Sequence, residues 1–341
     1  MKNDPVIRRY DTADGQRVYK LPVEAFPNHF TNCYLLTGEP VILIDAGSGF
    51  ASSNESLETA FSELKNSFDE SIALSDVQIL VLTHGHIDHF GGVNYVVEKS
   101  GARIGIHELD ASILSQFQER LILSSKNLHI YLERAGVPNH RVQELVSMNK
   151  WSKDYFEATP VDFTFAEGTV PGTSLTSIHT PGHCPGQVCL RLNDIVFTAD
   201  HVLSHTTPIQ SPEFIARYTG LGHYTESLAK LAELDGIRIG LGGHEFAMDD
   251  LKGRISETLQ FHEARMQKVL SLCDEPKTIR DLSKGMFKNQ QHYHVLLALL
   301  ETGAHVEHLH ERGFLRVVNI QDVEDEYNPP LLYQRIDRQD I

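Results

Sequence analysis

The apolar positions of this chain change period several times, and each change marks an element. Apolar runs bounded by turn residues, Asn32–Gly38, Val41–Gly47 and Gln78–His84, predict strands. Between the last two, Leu57, Phe61, Leu64 and Phe68 recur at the spacing that puts them on one face of a helix over 53–68. Gly91-Gly92 opens a second helix. Strand, helix, strand, helix is the signature of an α/β layered fold.

From His107 to about Tyr155 the pattern turns polar and helical, with Gly136 and Pro138 as breakers, so a helical insertion is predicted over about 108–156. Strand signals return at Ser174–His183 and Cys189–His201, the latter folded at the tight-turn pair Asn193-Asp194, and again at Ile239–Gly243. After Arg254 a stripe of Ile255, Leu259, His262, Met266, Val269 and Cys273 predicts a long helix. Residues 278–318 then read as helix, helix and strand, the outline of a winged helix. The expected organisation is a main domain over 1–254, a winged-helix-like domain over 255–320 and an extended tail over 321–341.

With 41% hydrophobic residues the chain can bury a large core. Its 30 Lys+Arg against 46 Asp+Glu, a net charge of −16, argue against a surface built for phosphate backbones. No apolar run approaches the ~18–20 residues that span a bilayer, and MKNDPVIRRY lacks the apolar core of a signal peptide. The expectation is a cytoplasmic protein without a membrane partner. Cys33, Cys184, Cys189 and Cys273 form no Cys-x-x-Cys pair and read as reduced packing residues. Between Arg265 and Val318 eight basic residues face six acidic ones, too small an excess for a nucleic-acid surface. The C-terminal segment reads instead as a packing or dimerisation module, which leaves a homodimer open.

The densest chemistry follows the strand Gln78–His84. His84, His86, Asp88 and His89 crowd VLTHGHIDHFGG, and buried imidazoles at that density would each need a partner. A metal supplies one. His-x-His alternation sends both rings to the same side of an extended chain, while Asp88 and His89 lie on the following turn, where a second ion could sit roughly 3.5–4 Å away. His183, Asp200 and His244 each close a strand-like run, in HTPGH, VFTAD and LGGH.

The His-x-His-x-Asp-His motif and these three further residues resemble the metallo-β-lactamase superfamily. The resemblance covers nearly the whole chain and implies an αββα sandwich with a binuclear site at one edge. By resemblance, His84, His86 and His183 would hold one metal, Asp88, His89 and His244 the other, and Asp200 would bridge them. Asp45, in the IDAG turn, would brace the ligands. The helical C-terminus is similar to that of a branch that includes glyoxalase-II-like hydrolases and an endoribonuclease.

The function implied is hydrolysis of a small-molecule ester, a thioester or lactone, by a metal-bridging hydroxide, with Asp88 and Asp200 as the catalytic carboxylates. Two divalent ions are expected, zinc first, although histidine and carboxylate ligands also accept iron or manganese. A phosphodiesterase or ribonuclease, or a non-catalytic metal-binding regulator, are the alternatives. The insertion is expected to lie over the metals, with Phe117, Leu121, Leu128 and Tyr131 as an apolar wall and His205 and His223 facing the pocket.

Overall fold

A computed structural model describes residues 4–336, which form two compact units. The first takes the chain up to Phe117 together with Glu157–Pro208 and Ser227–Ile255. The second takes Gln118–Phe156, Ile209–Glu226 and the chain from Ser256 onward. From Gln118 onward the insertion expected over about 108–156 therefore groups with the C-terminal helices, while its first ten residues stay with the main domain in which the sequence placed it. No described helix is long and apolar enough to cross a membrane.

Two sheets build the first unit. One runs in the order β1 (Arg8–Asp11), β2 (Arg17–Phe26), β3 (His29–Leu36), β4 (Ile42–Ile44), β5 (Ile79–Leu82), β6 (Arg103–His107) and β7 (Phe163–Phe165). It is antiparallel as far as β4 and parallel from there to β7. The other holds β8 (Gly168–Thr169), β9 (Thr176–His179), β10 (Val188–Leu192), β11 (Ile195–Ala199), β12 (Ile239–Gly242) and β13 (Ala247–Met248). Only its β11–β12 pairing is parallel. Tyr34, Ile44 and Val81 from the first sheet meet Leu190, Phe197 and Leu241 from the second in one buried core, the inner layer of a sandwich.

Helices α1 (Ala51–Phe68), α2 (Ile87–Phe90) and α3 (Val93–Ser100) leave the ends of β4 and β5, and α4 (Ala111–Ser115) follows β6. In α1 the buried positions Ser53, Leu57, Ala60, Phe61 and Leu64 trace the single face that its periodicity predicts. The strand pattern missed β2, because Lys20, Pro22 and Glu24 interrupt its apolar run. Lys20 is nonetheless buried, its ammonium paired with the Asp4 carboxylate and donating to the Asp4 carbonyl at 2.9 Å.

The second unit gathers α5 (Phe117–Arg134) and α6 (Asn139–Asn149) from the insertion, and α7 (Leu221–Ala232) and α8 (Leu251–Leu272) run into it or out of it. Three more helices follow: α9 (Ile279–Met286), α10 (Tyr293–Glu311) and α11 (Ile320–Asp325). Leu128, Tyr131, Leu132 and Leu145 share one core with Val269, Leu282, Leu296 and Leu299. Thr278 caps α9 by accepting from the Asp281 amide at 3.1 Å. The helix, helix, strand order expected over 278–318 is present, the strand being β14 (Leu315–Val317). It pairs antiparallel with β15 (Tyr333–Arg335). The tail is thus not extended throughout: it carries α11 and β15, and its last five residues lie outside the described ones.

Candidate metal centre

The seven residues expected as ligands converge in the first unit, at the ends of strands from both sheets. His84 and His86 follow β5, Asp88 and His89 lie on α2, His183 follows β9, Asp200 follows β11 and His244 follows β12. Nε2 of His84 and Nδ1 of His86 are 3.1 Å apart, and the His86 and His183 ring centroids are 4.5 Å apart. These three imidazoles form one group whose nitrogens could share an ion. Asp200 lies beside it and beside the next set. Its Oδ2 is 3.7 Å from His183 Nε2 and 3.2 Å from His244 Nε2, and its Oδ1 is 3.4 Å from His89 Nε2. Asp88 Oδ2 is 3.4 Å from His244 Nε2 and 3.8 Å from His89 Nε2.

Three of the candidate ligand rings are oriented through their outer nitrogens. His89 Nδ1 is 2.8 Å from Asp45 Oδ2, His244 Nδ1 is 2.6 Å from the Phe30 carbonyl, and His84 Nδ1 is 3.0 Å from the Thr83 hydroxyl. Asp45 also accepts from the Thr83 amide at 2.8 Å, so the brace expected at this residue joins β4 to the loop that begins the motif. Asn32 and Tyr34 of β3 donate to the Gly242 carbonyl at 3.0 and 2.6 Å, fixing the loop that carries His244. Gly243 leaves room for the ligands. A Cβ there would lie 2.4 Å from Asp200 Oδ1 and 2.7 Å from His89 Cε1. Asp45, Ala199 and Glu245 all hold left-handed backbone, a strain of about 1–3 kcal/mol each that concentrates around the ligands.

Electrostatics divide the imidazoles. Burial, then neighbouring imidazoles, hold His84 well below its ordinary value and His86 down to about 3, which keeps both neutral with lone pairs available. Burial also opposes charge on His244 and His89, but the Asp200 and Asp88 carboxylates outweigh it and push His244 up to about 10 and His89 well up. Burial would raise Asp88 and Asp200, yet the imidazoles beside them hold both well below the carboxylate range. The buried atoms His89 Nε2 and Asp200 Oδ1 have no hydrogen bond of good geometry. Neutral lone pairs, two anionic carboxylates and unsatisfied inward atoms fit a cation-binding set.

A family model described as the metallo-beta-lactamase superfamily matches residues 27–244. The chain belongs to this superfamily. Among solved structures, a metallo-beta-lactamase family protein from Thermus thermophilus is 27% identical with a TM-score of 0.74, covering 94% of this chain and 98% of that one. A beta-lactamase domain protein from Burkholderia ambifaria shares the fold at a TM-score of 0.75 and 18% identity, over 96% of this chain and 94% of its own. The curated relatives of this superfamily member include the lactamase-like protein aptB of Emericella nidulans, 26% identical over 72% of this chain and 61% of that protein. An atrochrysone carboxyl ACP thioesterase of Aspergillus fumigatus is 25% identical over 74% of this chain and 63% of its own length. The chain thus spans about three-fifths of the length of these curated relatives.

Two residues of this superfamily site escaped the sequence reading. His29 Nε2 lies 3.0 Å from Asp88 Oδ2, and its ring is 4.7 Å from that of His244. Asp110 accepts from the amides of Gly85 and Gly186 at 2.9 and 2.8 Å and from the Cys184 thiol at 3.3 Å, tying the two loops that carry His84, His86 and His183. Neither residue sits in a local pattern, although His29 does open a strand, as the ligands close theirs. Cys184 is buried with its thiol pushed up, first by burial and then by Asp110, which suits packing rather than nucleophilic chemistry.

The expected substrate wall is not what the insertion builds. Leu128 and Tyr131 are buried in the core of the second unit, where the Tyr131 hydroxyl donates to the Leu299 carbonyl at 2.6 Å. Helix periodicity announces a buried face on α5, and the core of the second unit covers it at Leu128 and Tyr131. Leu121 is half-buried on the same helix, and Phe117 packs against Phe90 with ring centroids 5.9 Å apart. His205 is largely exposed beside Glu245 and Phe246, and His223 pairs with Glu213 at 3.2 Å in the second unit. His262, Glu301 and His305 also gather in the second unit, but there the Arg265 guanidinium already neutralises the Glu301 carboxylate.

Proposed function

We propose that the chain is a metal-dependent hydrolase of carboxylic esters, with a thioester as the preferred substrate and a lactone as the nearest competitor. The observation that carries this reading is the position of Asp200 between two groups of nitrogen ligands, within 3.7 Å of His183 on one side and 3.2 Å of His244 on the other. His84, His86 and His183 would hold one divalent ion and Asp88, His89 and His244 a second, with Asp200 serving both. Zinc suits the set first; iron and manganese are also compatible with it. Ions bound there would supply Lewis acidity toward a carbonyl and bring the pKa of a water toward neutrality.

The chain's own residues do the rest. Asp45, the Phe30 carbonyl and Thr83 fix the rings of His89, His244 and His84, so the donor set is preorganised. Asp88 orients the attacking water through a carboxylate oxygen, and His29 holds a proton at Nε2 beside that oxygen. The set needs no covalent step through serine or cysteine. The thioester preference draws support from the thioesterase activity named for the Aspergillus fumigatus relative.

The test is a substrate panel offered to protein loaded separately with zinc, iron or manganese: acyl thioesters, lactones and phosphodiesters. Thioester cleavage that disappears on chelation and returns with metal is the expected outcome. Cleavage of phosphodiesters alone would overturn the reading in favour of a nuclease.

A further inference from the structure

The second unit contains a cavity of about 530 Å³, within the ~300–1,000 Å³ range of small-molecule sites. Its apolar surface comes from Val137, Leu145, Val295 and Leu299. Its charged surface comes from Arg141, Arg280, Lys284 and Lys288, and no carboxylate lines it. That asymmetry is pronounced in a chain with a net charge of −16. It has a sequence origin: Arg280 and Lys284 lie four residues apart on α9 and share one side of the helix, and Lys288 follows just past its end on the same cavity lining. The opposite side of α9 carries Ile279 and Leu282 into the core.

Three of these four cations are not spent on ion pairs. Arg141 pairs with Glu144, whereas Arg280, Lys284 and Lys288 form no ion pair among the described residues. Arg280 is half-buried, and Lys284 and Lys288 are exposed, so the charges stand over an apolar floor. Like charges so placed repel one another unless an anion joins them. Ser283, Asn289 and Gln290 add neutral polar groups to the same lining.

We propose that this cavity binds an amphiphilic organic anion, with its hydrocarbon chain on the apolar floor and a terminal phosphate or carboxylate among Arg280, Lys284 and Lys288. The floor selects for the chain and the rim selects for the negative end, so neither a neutral alcohol nor a bare anion satisfies both. The inference is independent of the metal centre and of the reaction assigned to it.

Calorimetric titration of the full chain tests it with octyl phosphate, octanoate, 1-octanol, inorganic phosphate and octyltrimethylammonium. Octyl phosphate or octanoate is expected to bind one site at least about tenfold more tightly than octanol, inorganic phosphate or the ammonium amphiphile. Whichever of the two anions binds more tightly identifies the headgroup. Binding should weaken as NaCl rises, because exposed charges are screened. The double variant Lys284→Glu/Lys288→Glu changes only exposed side chains, and circular dichroism checks its fold. It should lose about tenfold or more in affinity for the anions while its weak affinity for octanol stays the same. Equal affinity for octyl phosphate and octanol, equal affinity for octyl phosphate and inorganic phosphate, or wild-type binding by a folded double variant would each overturn the proposal.

Discussion

His89 and Asp45 are locked together, Nδ1 to Oδ2 at 2.8 Å, with both side chains buried. The contact commits Nδ1 outward and leaves Nε2 facing Asp200. Asp45→Ala should weaken metal binding about 10–100-fold, the usual loss when a ligand's outer partner is removed. It should also cost about 1–3 kcal/mol of stability, because the Thr83 amide loses its acceptor. Competition with a chromogenic chelator, alongside urea unfolding, reads both effects; wild-type metal affinity would show that the contact is only architectural.

Asp200 should matter more. Protein prepared without chelator is expected to carry two metal equivalents, and Asp200→Ala to bind less of both while losing at least about 100-fold in turnover. Elemental analysis decides the count. A ratio fixed at one after reconstitution with zinc, iron and manganese would remove the binuclear assignment.

His29 separates proton handling from metal retention. If it holds a proton beside Asp88, His29→Ala should lower kcat about 100-fold while metal content stays near that of the wild type. Metal loss as severe as in Asp88→Ala would make His29 a ligand instead.

Leu128 and Tyr131 were expected in an apolar wall over the metals, and they are buried in the helical core instead. Leu128→Ala should cost about 2–5 kcal/mol through the cavity it leaves. Tyr131→Phe should cost about 1 kcal/mol through the lost bond to Leu299. Gly303 packs so closely on Tyr131 that a Cβ would fall 2.0 Å from its hydroxyl, so Gly303→Ala should cost more than Tyr131→Phe. Relative kcat/KM across acyl lengths should barely change in any of the three. A shifted chain-length preference at wild-type stability would restore the wall.

Acid should unfold the second unit through its buried histidines. Burial, with Arg265 nearby, pushes His305 down to about 4, against an unfolded value near 6.5. Above that unfolded value both states are neutral and His305 contributes nothing to the pH dependence. As pH falls from about 6.5 to 4 the unfolded chain binds the proton and the folded one does not, so stability drops, by up to roughly 3 kcal/mol at this residue. His305→Gln should flatten the decline between pH 6.5 and 4 in chemical denaturation curves. An unchanged slope would assign the acid sensitivity elsewhere.

The convergence of the seven candidate ligands was legible because three of them close strand-like runs and the other four share one short motif that follows another. The inter-sheet core was legible because β4, β5 and Cys33–Leu36 of β3 are unbroken apolar runs and the β10–β11 hairpin is interrupted only by Arg191, its turn and Thr198. What the sequence hid was set by tertiary contact. β2 is masked by Lys20, whose burial depends on the distant Asp4. Leu128 and Tyr131 announce that α5 has a buried face, but periodicity carries no information about which surface covers it. Asp110 meets two loops that approach it only after folding, and it grips their backbone, so no residue pattern announces it.

That grip on the backbone determines which substitutions this corner of the protein can absorb. Amides are present whatever side chain a residue carries, so the clamp that Asp110 makes does not depend on the identity of most loop positions. The exceptions are Gly186, where a Cβ would strike Asp110 2.5 Å away, and Gly85, where one would meet Ile113 at 2.4 Å. The loops bearing His84, His86 and His183 can therefore diverge in surface chemistry while the distance between them is conserved, with one carboxylate and two glycines acting as the gauge.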